Sequence, residues 1–171
     1  IIQASDFLPY DANQLPELGY GKSKDVLTPI ELERLLKAAN GGPIKRPSDG
    51  KEVKSVAFVQ CAGQRSTKPG HLPYCSGFCC TESIKQAMYF KAQNPDCDAT
   101  VLFDDLRTPG AAGEDFYRAG QQAQVTFSKG KVSEVVPGGT LGVKFKDLIL
   151  DEDTEMDCDL VVLATGQVPN I

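Results

Sequence analysis

The sequence predicts an α/β fold with a parallel-centred sheet, helices and a β-hairpin extension. Three observations predict it. Between Val56 and Phe103 the residues spell strand, loop, helix, strand, the order of one right-handed crossover between parallel strands. The run Leu160 to Ala164 is a second continuous apolar segment of buried-strand type. From 125 to 145, short β-rich runs separated by glycines read as hairpin strands.

In chain order, residues 1–27 carry Pro, Gly and Asp with scattered apolar residues (Phe7, Leu8, Tyr10, Leu15, Leu18, Tyr20). They show neither helical nor strand period, and an ordered or semi-ordered leader is expected. Thr28-Pro29-Ile30-Glu31 starts a helix: Thr28 as N-cap, Pro29 in the first turn, Glu31 placed to complete a capping box. Ile30, Leu32, Leu35 and Leu36 give its apolar stripe, and Asn40-Gly41-Gly42-Pro43 stops it, so the helix covers about 29–39. A polar linker, 45–51, follows. Val56-Ala57-Phe58-Val59 is too short for a helix and reads as a buried strand over 55–60, ending at Cys61-Ala62-Gly63. A Gly- and Pro-containing loop runs to Pro73. Residues 79–93 are then helical, with Ile84, Ala87, Met88 and Ala92 on one face and Asn94-Pro95 as the stop.

The next strand is expected over 99–103 and a further helix over 113–122. Short strands at 125–127, 132–136 and 143–145 are separated by turns at Gly130, Gly138-Gly139 and Gly142. A final strand over 159–164 leads into Thr165-Gly166. The expected division is a leader with one short helix over 1–54, a sheet domain over 55–166, and an exit segment over 167–171.

With 171 residues, 41% hydrophobic and 24% charged, the chain falls in the range of one compact unit. Its net charge of −5, without a Lys/Arg stripe, gives no electrostatic footprint for nucleic acid or anionic lipid, and neither is an expected partner. No apolar run reaches bilayer length, and Ile1-Ile2 lacks the flanks of a signal peptide. Direct membrane insertion is not expected, and a cytoplasmic location is. The chain has no initiating Met and ends at Ile171 just after a strand-like segment, which reads as a piece of a longer protein.

Of six cysteines, Cys61, Cys75, Cys79 and Cys80 fall within twenty residues, while Cys97 and Cys158 stand apart. Without an export signal, such a cluster points to metal or redox chemistry before structural disulfides. The spacing lacks the paired C-x₂₋₄-C units of structural zinc sites, and the one histidine is His71. Four soft thiolates favour an iron–sulfur cluster or zinc over hard cations. Cys61 ends the first strand and Cys79-Cys80 begin the following helix, the place where an open α/β sheet holds its ligand and where free N–H groups favour an anion. Cysteine is also a common core residue, and four could fill a core or pair as disulfides. The adjacent pair Cys79-Cys80 is awkward for core packing, because neighbouring side chains at a helix start point in different directions.

A nicotinamide-binding crossover of the Rossmann type carries G-x-G-x-x-G/A at this turn, whereas this chain has Cys61-Ala62-Gly63-Gln64-Arg65-Ser66. One glycine of the fingerprint remains, and a cysteine replaces another. The pyrophosphate site therefore reads as converted to a cluster site, and dinucleotide binding is not expected there.

At "SVAFVQCAGQRS…HLPYCSGFCCTESIKQAMYFK" the chain resembles the heterodisulfide reductase A-subunit family, including related subunits of quinone-interacting membrane-bound oxidoreductase complexes. "GYGKSKDVLTPIELERLL", "RPSDGK", "DDLRTPGAAGEDFYRAG" and "DLVVLATGQVPN" extend the likeness over most of its length. The order of these stretches matches the segment between the two halves of that family's FAD domain. The resemblance implies a thioredoxin-reductase-like fold, with a nicotinamide-domain-like unit inserted into an FAD domain. It implies that Cys61, Cys75, Cys79 and Cys80 are noncanonical ligands of a [4Fe–4S] cluster close to the flavin. It also implies that Ala164-Thr165-Gly166 is the turn returning to the FAD domain. The family's flavin fingerprint and ferredoxin-like motifs are absent from these residues, so FAD is expected in the longer protein and not in this segment alone.

The expected function is electron relay between a cluster and FAD in a flavin-dependent iron–sulfur oxidoreductase subunit, with other subunits of a redox complex as partners and any membrane association made through them. The segment alone is not expected to catalyse bond chemistry. The alternative is a structural or subunit-docking domain holding zinc or no metal. A pyridine-nucleotide disulfide reductase is weaker still, since C-x-x-C and an intact fingerprint are both missing. Arg107 and Glu114 could line the cofactor junction, although a loop salt bridge is the default for either. Phe116 and Tyr117 read as core, His71, Lys45 and Arg46 as solvated loop positions, and Cys97 and Cys158 as buried or half-buried thiols.

Overall fold

The computed structural model describes residues 2–171. In chain order its elements are β1 (Phe7–Pro9), β2 (Val26–Leu27), α1 (Pro29–Ala39), β3 (Ser55–Ala62), α2 (Cys79–Gln93), β4 (Asp98–Phe103), α3 (Gly113–Gln122), β5 (Thr126–Val136), β6 (Leu141–Asp147), β7 (Glu152–Cys158), β8 (Leu160–Thr165) and β9 (Gln167–Pro169). One seven-stranded sheet has the order β2-β8-β3-β4-β5-β6-β7. Its first five strands are parallel. The β5–β6 and β6–β7 pairs are antiparallel. The fold is thus α/β with a parallel-centred sheet and a hairpin extension.

Strands buried on both faces need no polar alternation, which is why Val56–Val59 and Leu160–Ala164 are unbroken apolar runs. On one face Val56, Phe58, Leu160 and Val162 pack with Leu32 of α1 and with Ala87 and Phe90 of α2. On the other, Ala57, Val59, Val161 and Leu163 meet Leu141, Val143 and Phe145 of β6. The antiparallel end of the sheet therefore curls back and covers the face that carries no α-helix. Helix α1 begins as its sequence requires: the Thr28 side chain accepts from the Glu31 N–H, and Glu31 accepts in return from the Thr28 N–H. Asn40 closes it in the left-handed conformation.

Several expectations need correction. Gly130 and Gly142 are not turns but lie inside β5 and β6; only Gly138-Gly139 sits in the connection between them. At Gly130 the missing side chain makes room for the Phe145 ring. Strand β7, Glu152–Cys158, was not expected, because an exposed acid-rich segment shows no apolar alternation; its charges suit the outer edge of a sheet. Residues 1–27 contain β1, two 3-10 turns and β2, elements two or three residues long and too short to leave a period. Arg46 is not solvated: it is buried beside Asp25, with Nη2 2.7 Å from Oδ2. Its partner lies twenty-one residues earlier, outside any local pattern. Phe116 and Tyr117 are half-buried, and Tyr117 meets Phe127 edge-on at 4.8 Å between ring centroids. Among the described residues no helix is long and apolar enough to cross a membrane.

Candidate metal centre

The parallel strands place the site. β3 and β8 pair in register from Val56 to Val59, then shift before Ala62 meets Thr165. The irregularity falls on Gln60 and Cys61, and Cys61 takes a left-handed φ of 57°. Bulges of this kind re-aim a side chain at the rim of a sheet, and the strain of a non-glycine residue there is characteristic of functional positions. The chain then turns at Gly63 (φ 71°), where a Cβ would stand 2.5 Å from the Tyr10 ring, so only glycine fits. The loop returns to the sheet end through Arg65 N–H to the Tyr74 carbonyl and Leu72 N–H to the Gly63 carbonyl. It delivers Cys75 beside the start of α2, whose first two residues are Cys79 and Cys80.

Cys61, Cys75, Cys79 and Cys80 consequently border one cleft, together with Gln60, Gln64, Gly77, Phe78 and Arg107. All six cysteines are free thiols. Cys97 and Cys158 are buried elsewhere and do not line the cleft. Among the described residues no three cysteine, histidine or carboxylate groups stand tightly enough around a point to hold a single metal ion. A tetrahedral zinc with bonds of about 2.3 Å to sulfur would demand that tightness. The donor set is four thiols with amides and a guanidinium around them, and neither histidine nor carboxylate lines the cleft. That donor set suits a soft, thiolate-bound metal group and not a hard cation.

Burial pushes the Cys61, Cys79 and Cys80 thiols upward, Cys79 to about 11. Specific donors oppose the rise at each. The Gln64 amide lies 3.3 Å from Cys79 Sγ, the Arg65 guanidinium 4.0 Å from Cys61 Sγ, and the Arg107 backbone N–H acts on Cys80. Gly77 N–H donates to Cys75 Sγ at 3.4 Å. The N-terminus of α2 adds unpaired N–H groups and a positive dipole end. Arg65 is itself held by Asp105 at 2.7 Å, which Arg107 also approaches at 4.0 Å. The surroundings therefore bring hydrogen-bond donors and positive charge to the cysteine sulfurs.

Ala164 and Thr165 end β8 beside Cys79 and Gln64, and Gly166 links it to β9. Cys79 Sγ lies 3.6 Å from the Thr165 carbonyl, and Gln64 Nε2 donates to the Ala164 carbonyl at 3.0 Å. Gly166 is packed so closely that a Cβ would stand 2.6 Å from the Gln64 amide carbon. Arg107 borders the cleft, whereas Glu114 is exposed and pairs with Arg118 at 3.8 Å. Sequence reasoning missed Gln60, Gln64, Arg65 and Asp105, since single amides and loop charges form no pattern.

No protein-family model matches the chain. Among curated proteins it is 39% identical over 99% of its length to the A subunit of the H(2):CoB-CoM heterodisulfide,ferredoxin reductase of Methanothermobacter marburgensis. It is 37% identical, again over 99% of its length, to the second iron-sulfur A subunit of the CoB--CoM heterodisulfide reductase of Methanopyrus kandleri. The chain spans 26% of the length of each. A thioredoxin reductase from T. acidophilum is 19% identical, with a TM-score of 0.40 covering 68% of this chain and 32% of that one, a likeness too slight to carry an argument. Over 99% of its length, at 36–39% identity, the chain is homologous to about a quarter of the length of proteins named as heterodisulfide reductase A subunits.

Proposed function

We propose that this chain is the electron-relay domain of a flavin-dependent iron–sulfur oxidoreductase subunit of the heterodisulfide reductase A type, in which Cys61, Cys75, Cys79 and Cys80 hold a [4Fe–4S] cluster. When bound, such a cluster supplies one-electron transfer at a potential set by the hydrogen bonds, charge and solvent around it. The chain's own residues bind and insulate it. Four thiols border one cleft, Arg65 and Arg107 bring positive charge to it, and Gln64 and the start of α2 bring N–H donors. The observation that carries the reading is this shared cleft, because residues spread over twenty positions meet nowhere else.

The same reading places a FAD beside Ala164-Thr165-Gly166, supplied by parts of a longer protein. In support, β1 and β9 pair as an antiparallel ribbon and the Tyr10 N–H donates to the Gly166 carbonyl, so the paths into and out of the sheet run together next to the cleft. A domain set between two halves of a flavin-binding unit needs that geometry. Residues 55–166 are assigned to the cluster domain, with 1–54 leading in and 167–171 leading out. Other subunits of a redox complex are its proposed partners and the cytoplasm its proposed location, with any membrane contact made through those partners.

The test is anaerobic reconstitution with ferrous iron and sulfide. About four irons and four sulfides per chain, with a reducible paramagnetic centre, are expected, and Cys→Ser at any of the four should reduce or abolish uptake while Cys97→Ser and Cys158→Ser should not. Uptake of zinc alone, or iron uptake indifferent to the four changes, would favour a structural or docking domain.

A further inference from the structure

Gln60 borders the cysteine cleft with both ends of its side-chain amide, Oε1 and Nε2, buried and without a hydrogen-bond partner among the described residues. Proteins seldom leave a buried amide unpaired, and an exception calls for an explanation such as a missing ion or ligand. Its position supplies one. Gln60 follows Val56 and Phe58 on the face of β3 that α2 covers, and it directly precedes Cys61, where the register with β8 breaks. The next glutamine is already committed: Gln64 Nε2 serves Cys79 and Ala164, and its Oε1 accepts from the Ser76 N–H. Gln60 alone of the two holds a free donor at the cleft.

We propose that Gln60 donates a hydrogen bond from Nε2 to a sulfur of the group held by Cys61, Cys75, Cys79 and Cys80, and thereby raises its reduction potential. This rests on the cluster reading above. A donor to sulfur stabilises the more negative, reduced form, so potential rises with each such bond. Gln60 is therefore a tuning residue, and the cluster is retained without it.

The test is Gln60→Met, which keeps length and volume and removes the N–H groups. After anaerobic reconstitution with ferrous iron and sulfide, the variant should carry as much iron as wild type. Its reduction equilibrium should fall about tenfold, or about 59 mV for a one-electron couple, in a redox titration followed by paramagnetic resonance. Before reconstitution it should melt no lower than wild type, because the amide has no partner to lose. A wild-type potential in the loaded variant overturns the proposal. So does a lower melting temperature, or failure to fold, in the unloaded one, since either marks Gln60 as structural. If wild type itself takes up no iron, the four-cysteine reading fails and this one with it; iron uptake with an unshifted potential removes the role of Gln60 alone.

Discussion

The side-chain nitrogen of Gln64 lies 3.3 Å from Cys79 Sγ and donates as well to the Ala164 carbonyl, 3.0 Å away. One buried amide thereby joins the loop after β3, the first turn of α2 and the end of β8. Its oxygen accepts from the Ser76 N–H at 3.1 Å, and the Ser76 hydroxyl accepts from the Gln167 N–H at 2.9 Å. The cysteine cleft and the Ala164-Thr165-Gly166 turn are in this way held by the same short network. Such networks act as units, so loss of one member is felt by the rest.

Gln64→Leu should uncouple them. Three hydrogen bonds end and the Ser76 N–H and Ala164 carbonyl lose their partner, at a cost of about 1–3 kcal/mol in urea denaturation. The Gln64 hydrogen bond also opposes the burial that pushes Cys79 to about 11, so the thiol should rise further in the variant. Alkylation of Cys79 as a function of pH, read by mass spectrometry, measures this. A variant as stable as wild type, with the same alkylation profile, would show that the network is idle.

The buried thiols also set an alkaline limit. Burial pushes Cys79 and Cys97 to about 11 and Cys158 to about 12, from an ordinary value of 9.0. Each folded value exceeds the unfolded one, so above about pH 9 the unfolded chain binds fewer protons and stability falls as pH rises. The contribution is whole below about pH 9 and is lost on passing about 11 to 12. Tyr10 and Tyr20, also raised chiefly by burial, add the same sign. Urea midpoints under reducing conditions should hold steady to about pH 9 and then decline; a flat profile through pH 11 would contradict the burial of these thiols.

The parts of the fold that were legible are those whose signal is local. The Thr28–Glu31 capping box announces α1, and continuous apolar runs announce β3 and β8 because both faces of those strands are covered. Strand β7 was illegible because its residues satisfy only the ladder to β6 and carry charges suited to an edge. The cysteines were visible as a spacing, and that spacing placed Cys61 at a strand end and Cys79 at a helix start. Gln60, Gln64 and Arg65 were not, since their roles arise only when the loop returns to the sheet. Arg46 and Asp25 belong to the same class.

That pair gives the next prediction. Arg46 donates from Nε and Nη2 to Asp25 Oδ2, at 3.1 and 2.7 Å, and Ser48 donates from N and Oγ to the same carboxylate. The network ties the linker before β3 to the start of β2, next to the Val161 N–H that Asp25 receives on its carbonyl. Asp25→Ala leaves a buried guanidinium with only Asp49 and Asp159, each 3.7 Å away, and should cost about 3 kcal/mol. Asp25→Leu combined with Arg46→Met should recover most of that loss, because neither charge is then stranded. Equal losses in the single and double variants would show that the pair does more than neutralise itself.

Gly130 offers the test of how the sheet curls. Within a strand, glycine is ordinarily a weakness, and alanine in its place is expected to be neutral or favourable. Here a Cβ would stand 2.6 Å from Phe145 Cδ2 and 3.1 Å from Cε2, and that ring is buried in the core under the parallel strands. Gly130→Ala must therefore displace Phe145, and overpacking of this kind should cost about 1–3 kcal/mol in urea denaturation. Phe145→Leu removes the ε-carbons and replaces the rigid ring by two δ-carbons on a tetrahedral Cγ, free to turn away from the new methyl. In the Phe145→Leu background, Gly130→Ala should cost clearly less, a coupling of about 0.5–3 kcal/mol in the double-mutant cycle. The sign separates two accounts of the glycine. If the two changes add without coupling, Gly130 is serving the backbone of β5 and not the ring of Phe145, and the close approach of β6 to β5 at this point must have another cause.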